Sequence, residues 1–491
     1  MAEQGIERHL MVVIGGTGDL MARKLLPAMR RLTERGALHG KAVLLASGRR
    51  TSFDDERYRH WARAALHAAG MPVDAQGSGW CDQCLHYQSA GDQQPEDFAR
   101  LKQRIEELER EHDLPGNRIF YMATPPGAFI DTVERLGQAG LSAGPGWTRV
   151  VIEKPFGHDL DSARDLNARI HRHFDEEQIY RIDHYLGKET VQNLLTFRFA
   201  NMLFESVWNR DRVAAVEILV AEDLGVGRRG EFYDGVGALR DVVQNHITQL
   251  LALTAMEIPV ELAADAIRDE KVKVLRSLAP IEPSQAVMGQ YTAGQVDGQP
   301  VAGYLDEDGV AEDSTTETFV AIRTHIANWR WQGVPFVLRT GKRLPHKLTQ
   351  ITIHFRCPAL AIFQAHAQAT VHANSLAITL QPDEGFDLHF EVKEPHDPRL
   401  PAVALRLQTH SLRFRYQDVF PQLPEAYETL LVDVAQGDQT LFVRADEVEH
   451  SWRIYTPLLA ARPTVHPYAA GTMGPPQAER LLPPRGEACP I

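Results

Sequence analysis

Residues 12–27 read VVIGGTGDLMARKLLP. An apolar run, three glycines within four positions and a stretch with apolar residues at helical spacing predict a strand, a tight turn and a helix. Gly15, Gly16 and Gly18 fall in the turn. Glycine there permits sharp bending and lets backbone N–H groups approach a pyrophosphate at a helix N-terminus. The spacing is not a strict G-x-G-x-x-G, and glycine-rich turns also occur without ligands. Context therefore has to carry the reading.

Outward from the turn, AVLLASG (42–48), RIFYMATPP (118–126) and TRVVIEKPFG (148–157) read as further strands, separated by helical patterns. Strands alternating with helices over the first ~175 residues predict a doubly wound, Rossmann-like α/β domain, here placed at residues 1–178. The character then changes. VAAVEILVAED (213–223), TETFVAIRTHIANWRW (316–331), PFVLRTG (335–341), LTQITIHFR (348–356), SLAITLQP (375–382) and FDLHFEVK (386–393) read as strands, several alternating in polarity. LRDVVQNHITQLLALTAM (239–256) reads as a long helix. Residues 179–491 are thus expected to form an α+β domain with a large, mainly antiparallel sheet, serving substrate binding and oligomerisation. Seven prolines from Pro463 onward predict an irregular, partly disordered tail.

The end of the second strand bears on the nucleotide. An acid at that place suits a ribose 2′-hydroxyl; this chain has Ser47-Gly48-Arg49-Arg50. Arginine suits a 2′-phosphate, through charged, bidentate hydrogen bonds that an acid would oppose. The expected cofactor is NADP.

The 491 residues carry a formal net charge of −13, with 44% hydrophobic and 24% charged residues. That balance is ordinary for a soluble globular protein and argues against general affinity for nucleic acid or anionic membrane. No run of apolar residues reaches membrane-spanning length. The start, MAEQGIERHLMVVIGG, carries acids and lacks a basic-then-apolar leader, so a cytoplasmic location is expected. The four cysteines, Cys81, Cys84, Cys357 and Cys489, are too few for a disulfide scaffold. Cys81 and Cys84 form a lone C-x-x-C with His86 nearby. It reads as a metal or redox motif or as incidental surface or loop cysteines, and no metal is expected.

Four segments concentrate chemistry. VIEKPFG (151–157) ends a parallel strand where α/β sites lie, with Lys154 directed to the nicotinamide end and a cis bond plausible at Pro155. RIDHYLGKET (181–190) packs an acid, an imidazole, a phenol and an ammonium together. Read as a helix, it puts His184 and Lys188 on one face, able to clamp a phosphate, with Asp183 turned about 100° away and Gly187 leaving room for close approach. LRDVVQNHITQ (239–249) carries Asp241 and His246. Five residues are about 140° around an α-helix, so a carboxylate orienting His246 should come from elsewhere. RTGKRLPHK (339–347) is a basic loop in an acidic protein: a phosphate site or a solvated turn.

GGTGDLMARKLLPA, ATPP, EKPFG, RIDHYLGKE, RDVVQNH and RTGKRLP, in this order and spacing, resemble glucose-6-phosphate dehydrogenases, bacterial ones most closely, from about residue 10 to about 470. The resemblance implies oxidation of glucose 6-phosphate to the 1,5-lactone with hydride transfer to NADP+, the first oxidative step of the pentose phosphate pathway. It implies that His246 is the general base and Asp183 its orienting carboxylate. His184, Tyr185 and Lys188 would bind phosphate; Glu222 and Asp241 would bind sugar hydroxyls. Lys342 and Lys347 would lie near the substrate, and Lys154 between coenzyme and substrate. Gly15, Gly16, Thr17, Gly18, Asp19, Leu20 and Arg49 would form the coenzyme site. Met21 stands where the family commonly has a small residue, and QSAGDQQ (88–94) matches the adenosine segment poorly, so nothing is assigned there. An NADP-dependent oxidoreductase acting on another sugar or sugar phosphate is the alternative; a silent NADP-binding regulator is a second. A homodimer or homotetramer is expected, because a broad antiparallel sheet often buries a face against a partner.

Overall fold

The computed structural model describes residues 5–71, 75–91, 94–359, 371–395, 406–420, 422–483 and 489. They form two compact units: residues 1–188, 260–268 and 424–449, and residues 189–259, 269–423 and 450–491.

The first unit is built on strands β1 (His9–Ile14), β2 (Ala42–Gly48), β3 (Leu85–Ser89), β4 (Arg118–Met122), β5 (Thr148–Glu153) and β6 (Ile179–Ile182). They lie parallel in the order 3-2-1-4-5-6, and a short strand late in the chain, β17 (Phe442–Val443), pairs antiparallel beyond β6. Every residue of β1 and β2 is buried, as a parallel sheet covered on both faces requires. The order reverses between β1 and β4, which places the glycine turn at the switch point of the sheet.

No single cut near residue 178 bounds this unit. Helix Ala426–Gln436 places Leu430, Leu431, Val434 and Ala435 in the same core as Met29 and Leu32. Arg31 and Arg35 reach its Glu428 at 2.6 and 2.7 Å. The pattern of 424–449 announces a helix but not the sheet it joins. Cys81 is buried in helix Ala75–Cys84, not on a surface or in a loop, and burial pushes both its thiol and that of Cys84 up. A raised thiol is a poor nucleophile.

The second unit holds a nine-stranded sheet in the order β16-β15-β14-β13-β7-β12-β11-β8-β18. Its strands are β7 (Val213–Ala221), β8 (Ala286–Thr292), β11 (Phe319–His325), β12 (Pro335–Gly341), β13 (Leu348–Phe355), β14 (Ser375–Gln381), β15 (Gly385–Lys393), β16 (Leu407–Arg415) and β18 (Val465–Ala469). Strands β9 (Gly294–Val296) and β10 (Gln299–Val301) make a separate hairpin. Two pairs, β7 with β12 and β8 with β18, are parallel and the rest antiparallel.

Three expectations need correction here. The strand read over 316–331 ends at His325; Trp331 leaves the sheet, is buried, and donates its indole N–H to the Ala255 carbonyl at 2.8 Å. The tail is not irregular throughout: β18 adds to the sheet beside β8, Pro476–Leu481 forms a 3₁₀-helix, and Cys489 is disulfide-bonded to Cys357. Residues 484–488, 490 and 491 of that tail lie outside the described residues. The helix of 239–256 is a π-helix over Leu239–Ile247 and an α-helix only over Thr248–Ala255. Among the described residues, no helix is long and apolar enough to cross a membrane.

Candidate active site

In the first unit, the glycine turn works by lacking side chains. Gly15 has φ +91°, and a Cβ on it would meet the Ala123 carbonyl oxygen at 2.4 Å. A Cβ on Gly16 would meet the Ala46 methyl at 2.6 Å. The N–H groups of Gly15 and Gly16 are not offered to a phosphate: both donate to the Ser47 carbonyl, at 2.8 and 2.9 Å, and the Gly18 N–H donates to Gly15. The turn is thus stitched to the end of β2, with Thr17 over Gly48. Asp19 and Leu20 open the following helix, and Asp19 pairs with Arg23 at 2.7 Å. Arg49 is exposed at the end of β2, while Arg50 lies over the Phe53 ring.

Lys154 follows β5, and the Lys154–Pro155 bond is cis. Segment 181–190 is not a helix. It is the end of β6 and a turn, and a helix starts only at Glu189. Asp183 is buried, and its carboxylate accepts the Tyr185 N–H at 3.1 Å while its carbonyl accepts the Leu186 N–H at 2.9 Å. Tyr185 is buried with the Lys188 ammonium 4.2 Å from its ring centroid and the His184 ring edge-on at 5.1 Å. The phenol, rather than a shared helical face, is what holds Lys188 and His184 near each other. Gly187 leaves no room for a ligand: a Cβ there would strike the Ala426 carbonyl at 2.7 Å and Leu430 at 2.8 Å. Arg181 serves the fold, paired to Glu176 at 2.6 Å.

In the second unit, β7 and β12 run parallel with Ala221 opposite Gly341, so Glu222 and Lys342 emerge side by side at the carboxyl ends. The Lys342 ammonium donates to Glu222, lies 4.0 Å from Asp241, and sits 5.0 Å above the Tyr233 ring. Its side chain is 4% exposed, so this is a desolvated cation matched by two acids and an aromatic face. Burial first, then Asp241, Glu317 and Glu222, push the Tyr233 phenol well above its ordinary range. Lys347 is exposed. Arg339 and Arg343 are not phosphate ligands in waiting: they pair with Glu217 at 2.9 Å and Glu307 at 3.5 Å.

His246 is buried in the π-helix, and its backbone N–H donates to the Asn245 side-chain oxygen at 2.6 Å. The π-turn alters the geometry expected for Asp241. In an i→i+5 helix, residues five apart lie near one face, whereas α-helical spacing separates them. Glu317 accepts the Leu239 N–H at 3.0 Å and fixes the start of this helix. Its carboxyl is raised by burial.

Sequence reasoning missed Tyr233, Glu317 and a trio made by Glu153, Tyr121 and Tyr427. Glu153 was in plain view inside EKPFG, beside Lys154. Nothing in a linear pattern showed that two tyrosines from distant elements close on it.

Residues 12–193 match the family model described as glucose-6-phosphate dehydrogenase, NAD binding domain, and residues 195–489 match that described as glucose-6-phosphate dehydrogenase, C-terminal domain. The chain is 42% identical over 489 residues to the glucose-6-phosphate 1-dehydrogenase of Aggregatibacter actinomycetemcomitans, spanning 97% of this chain and 96% of that one. It is 43% identical over 480 residues to glucose-6-phosphate 1-dehydrogenase 2 of Mycobacterium tuberculosis, spanning 96% and 92%. A solved structure of glucose-6-phosphate dehydrogenase in complex with its substrate glucose-6-phosphate superposes with a TM-score of 0.88 at 36% identity, over 98% of each chain. With both halves matched and relatives this similar end to end, the chain belongs to the glucose-6-phosphate dehydrogenase family.

Proposed function

We propose that this protein oxidises D-glucose 6-phosphate to 6-phospho-D-glucono-1,5-lactone with hydride transfer to NADP+. The observation that supports this most strongly is the likeness, along nearly the whole of both chains, to relatives bearing that activity's name. A pyridine nucleotide suits this unit because the glycine turn, packed tightly on Ala123 and Ala46, lies at the switch point of the parallel sheet, where α/β folds bind nucleotides. The preference for NADP rests on Arg49, an exposed guanidinium at the end of β2 with no acid beside it in sequence.

When bound, the nicotinamide supplies the hydride acceptor. His246, a histidine with an unperturbed pKa of about 6.5 in solution, takes the proton from the anomeric hydroxyl. Asp183 orients that imidazole and stabilises its charged form. Glu222 and Asp241 bind sugar hydroxyls, and Lys342, already seated between them, fixes their direction. His184, Tyr185, Lys188 and Lys347 hold the phosphate; Lys154 spans coenzyme and substrate. Gly15, Gly16, Thr17, Gly18, Asp19 and Leu20 cradle the coenzyme. A cytoplasmic location, assembly as a homodimer or homotetramer, and a two-domain division of labour between nucleotide and sugar complete the proposal.

Initial rates of reduced-nicotinamide formation test it, with glucose 6-phosphate or glucose crossed against NADP+ or NAD+. The expected result is a kcat/KM for glucose 6-phosphate at least 10²-fold above that for glucose. Equal values for the two sugars, or no turnover with either, defeat the proposal.

A further inference from the structure

Glu153 ends β5 and precedes Lys154. Two phenols converge on one of its oxygens: Tyr121 of β4 donates at 2.6 Å and Tyr427 of helix Ala426–Gln436 donates at 3.1 Å. Parallel pairing sets Glu153 beside Ile182 of β6, so the next residue on each strand, Lys154 and Asp183, leaves the sheet at the same edge. Burial raises the Glu153 carboxyl above its ordinary range; the two phenols and then the Lys154 charge draw it down, and the Asp183 charge adds to the rise. Asp183 also acts on the Tyr427 phenol. Among the described residues, Tyr121, Tyr427, Lys154 and Asp183 are the charged or titratable groups that face this carboxylate.

A carboxylate enclosed in this way needs a reason. Its burial opposes ionisation, and a hydrophobic residue of similar volume would remove that cost. It is not placed as an isolated packing group, since its two charged neighbours are both residues assigned roles in the reaction.

We infer that Glu153 is a positioning residue for the oxidation: a carboxylate clamped by Tyr121 and Tyr427 that sets the electrostatic balance between Lys154 and Asp183. This rests on the roles proposed above for Lys154 and Asp183. The negative charge lies beside the ends of β5 and β6 that bear Lys154 and Asp183, and there it favours a developing cation. Tyr427 links the device to the helix that closes over Gly187, so the turn bearing Asp183 and the clamp share one support.

Glu153→Gln tests the inference. Both phenols bond the same oxygen, so an amide carbonyl accepts both; the charge is removed and the other oxygen becomes an NH2 group. Sign follows from electrostatics: a lost negative neighbour lowers the pKa of each nearby group. The acid limb of kcat/KM against pH is expected to move to lower pH, by a few tenths to about one unit, with kcat/KM lowered roughly tenfold. The thermal midpoint should not fall below the wild-type value, which a merely structural role would not allow. A profile superimposable on wild type, with kcat/KM within about twofold, overturns the inference. Should the Gln variant fold poorly, Tyr427→Phe gives the second reading. With one donor lost, the carboxylate is harder to ionise, so a smaller shift in the same direction is expected, and an unchanged profile overturns the inference. Lys154→Met and Asp183→Asn are measured alongside. If they retain turnover, the roles given to those two residues fall and this inference with them. If they lose it while Glu153→Gln keeps the wild-type profile, the inference alone falls.

Discussion

The two units treat charge in opposite ways. At the glycine turn of the first, the cation is exposed: Arg49 stands in solvent, and the bare backbone is already bonded to Ser47. At the end of β12 in the second, the cation is sunk: Lys342 is buried between Glu222, Asp241 and the Tyr233 ring. An exposed arginine is cheap to leave empty and recognises a phosphate by forming new charged hydrogen bonds. A buried lysine must be neutralised before any ligand arrives, so its partners are fixed and oriented in advance. On the function proposed above, the first arrangement would select among nucleotides and the second would present a rigid surface to hydroxyls.

That contrast is open to direct attack. The largest effect is expected from His246→Asn, in the unit where groups are held in advance. Turnover should fall by roughly 10²–10⁴-fold or more with little change in substrate KM. Steady-state kinetics with near-normal kcat would remove His246 from the reaction. Next comes Lys342→Met, which leaves Asp241 and Glu222 facing each other with no cation. Glu222 is more than a third exposed, so the stability loss is expected at about 1–3 kcal/mol rather than the full cost for a wholly buried pair. Chemical denaturation measures it, and a loss below a few tenths would mean the cluster is not prearranged. The smallest is Arg49→Ala. The KM for NADP+ should rise roughly tenfold or more, that for NAD+ should stay within about twofold, and stability should hold within about 0.5 kcal/mol. Equal shifts for both coenzymes would mean Arg49 does not read the 2′-phosphate.

Strands β1, β2, β4 and β5 of the first sheet and β7 and β11 to β15 of the second were legible, because apolar runs and period-two patterns report burial directly, whereas β8, β16 and β18 went unread. Strands β3 and β6 were not legible either, since LHYQS and IYRI carry polar groups whose partners lie far off in sequence. Nor was the membership of 424–449 in the first unit, because a helix shows which face is apolar but not what will cover it. At the site, residue types were readable from motifs, yet their local geometry was misjudged twice. A helix was read at 183–188, where Tyr185 and the turn hold the side chains instead. An α-repeat was read at 239–247, where the i→i+5 ladder changes which residues are neighbours. Both errors came from applying regular periodicity where tertiary packing sets the backbone.

One strand deserves a last consequence. Tyr468 of β18 donates its hydroxyl to the Lys342 carbonyl at 2.6 Å, and among the described residues β18 is the last strand in chain order. During synthesis, every other element of that sheet emerges from the ribosome before it. The loop bearing Lys342 therefore waits for a residue 126 positions further on before its anchor arrives, so a chain stopped short of residue 465 lacks the part that seats its own lysine.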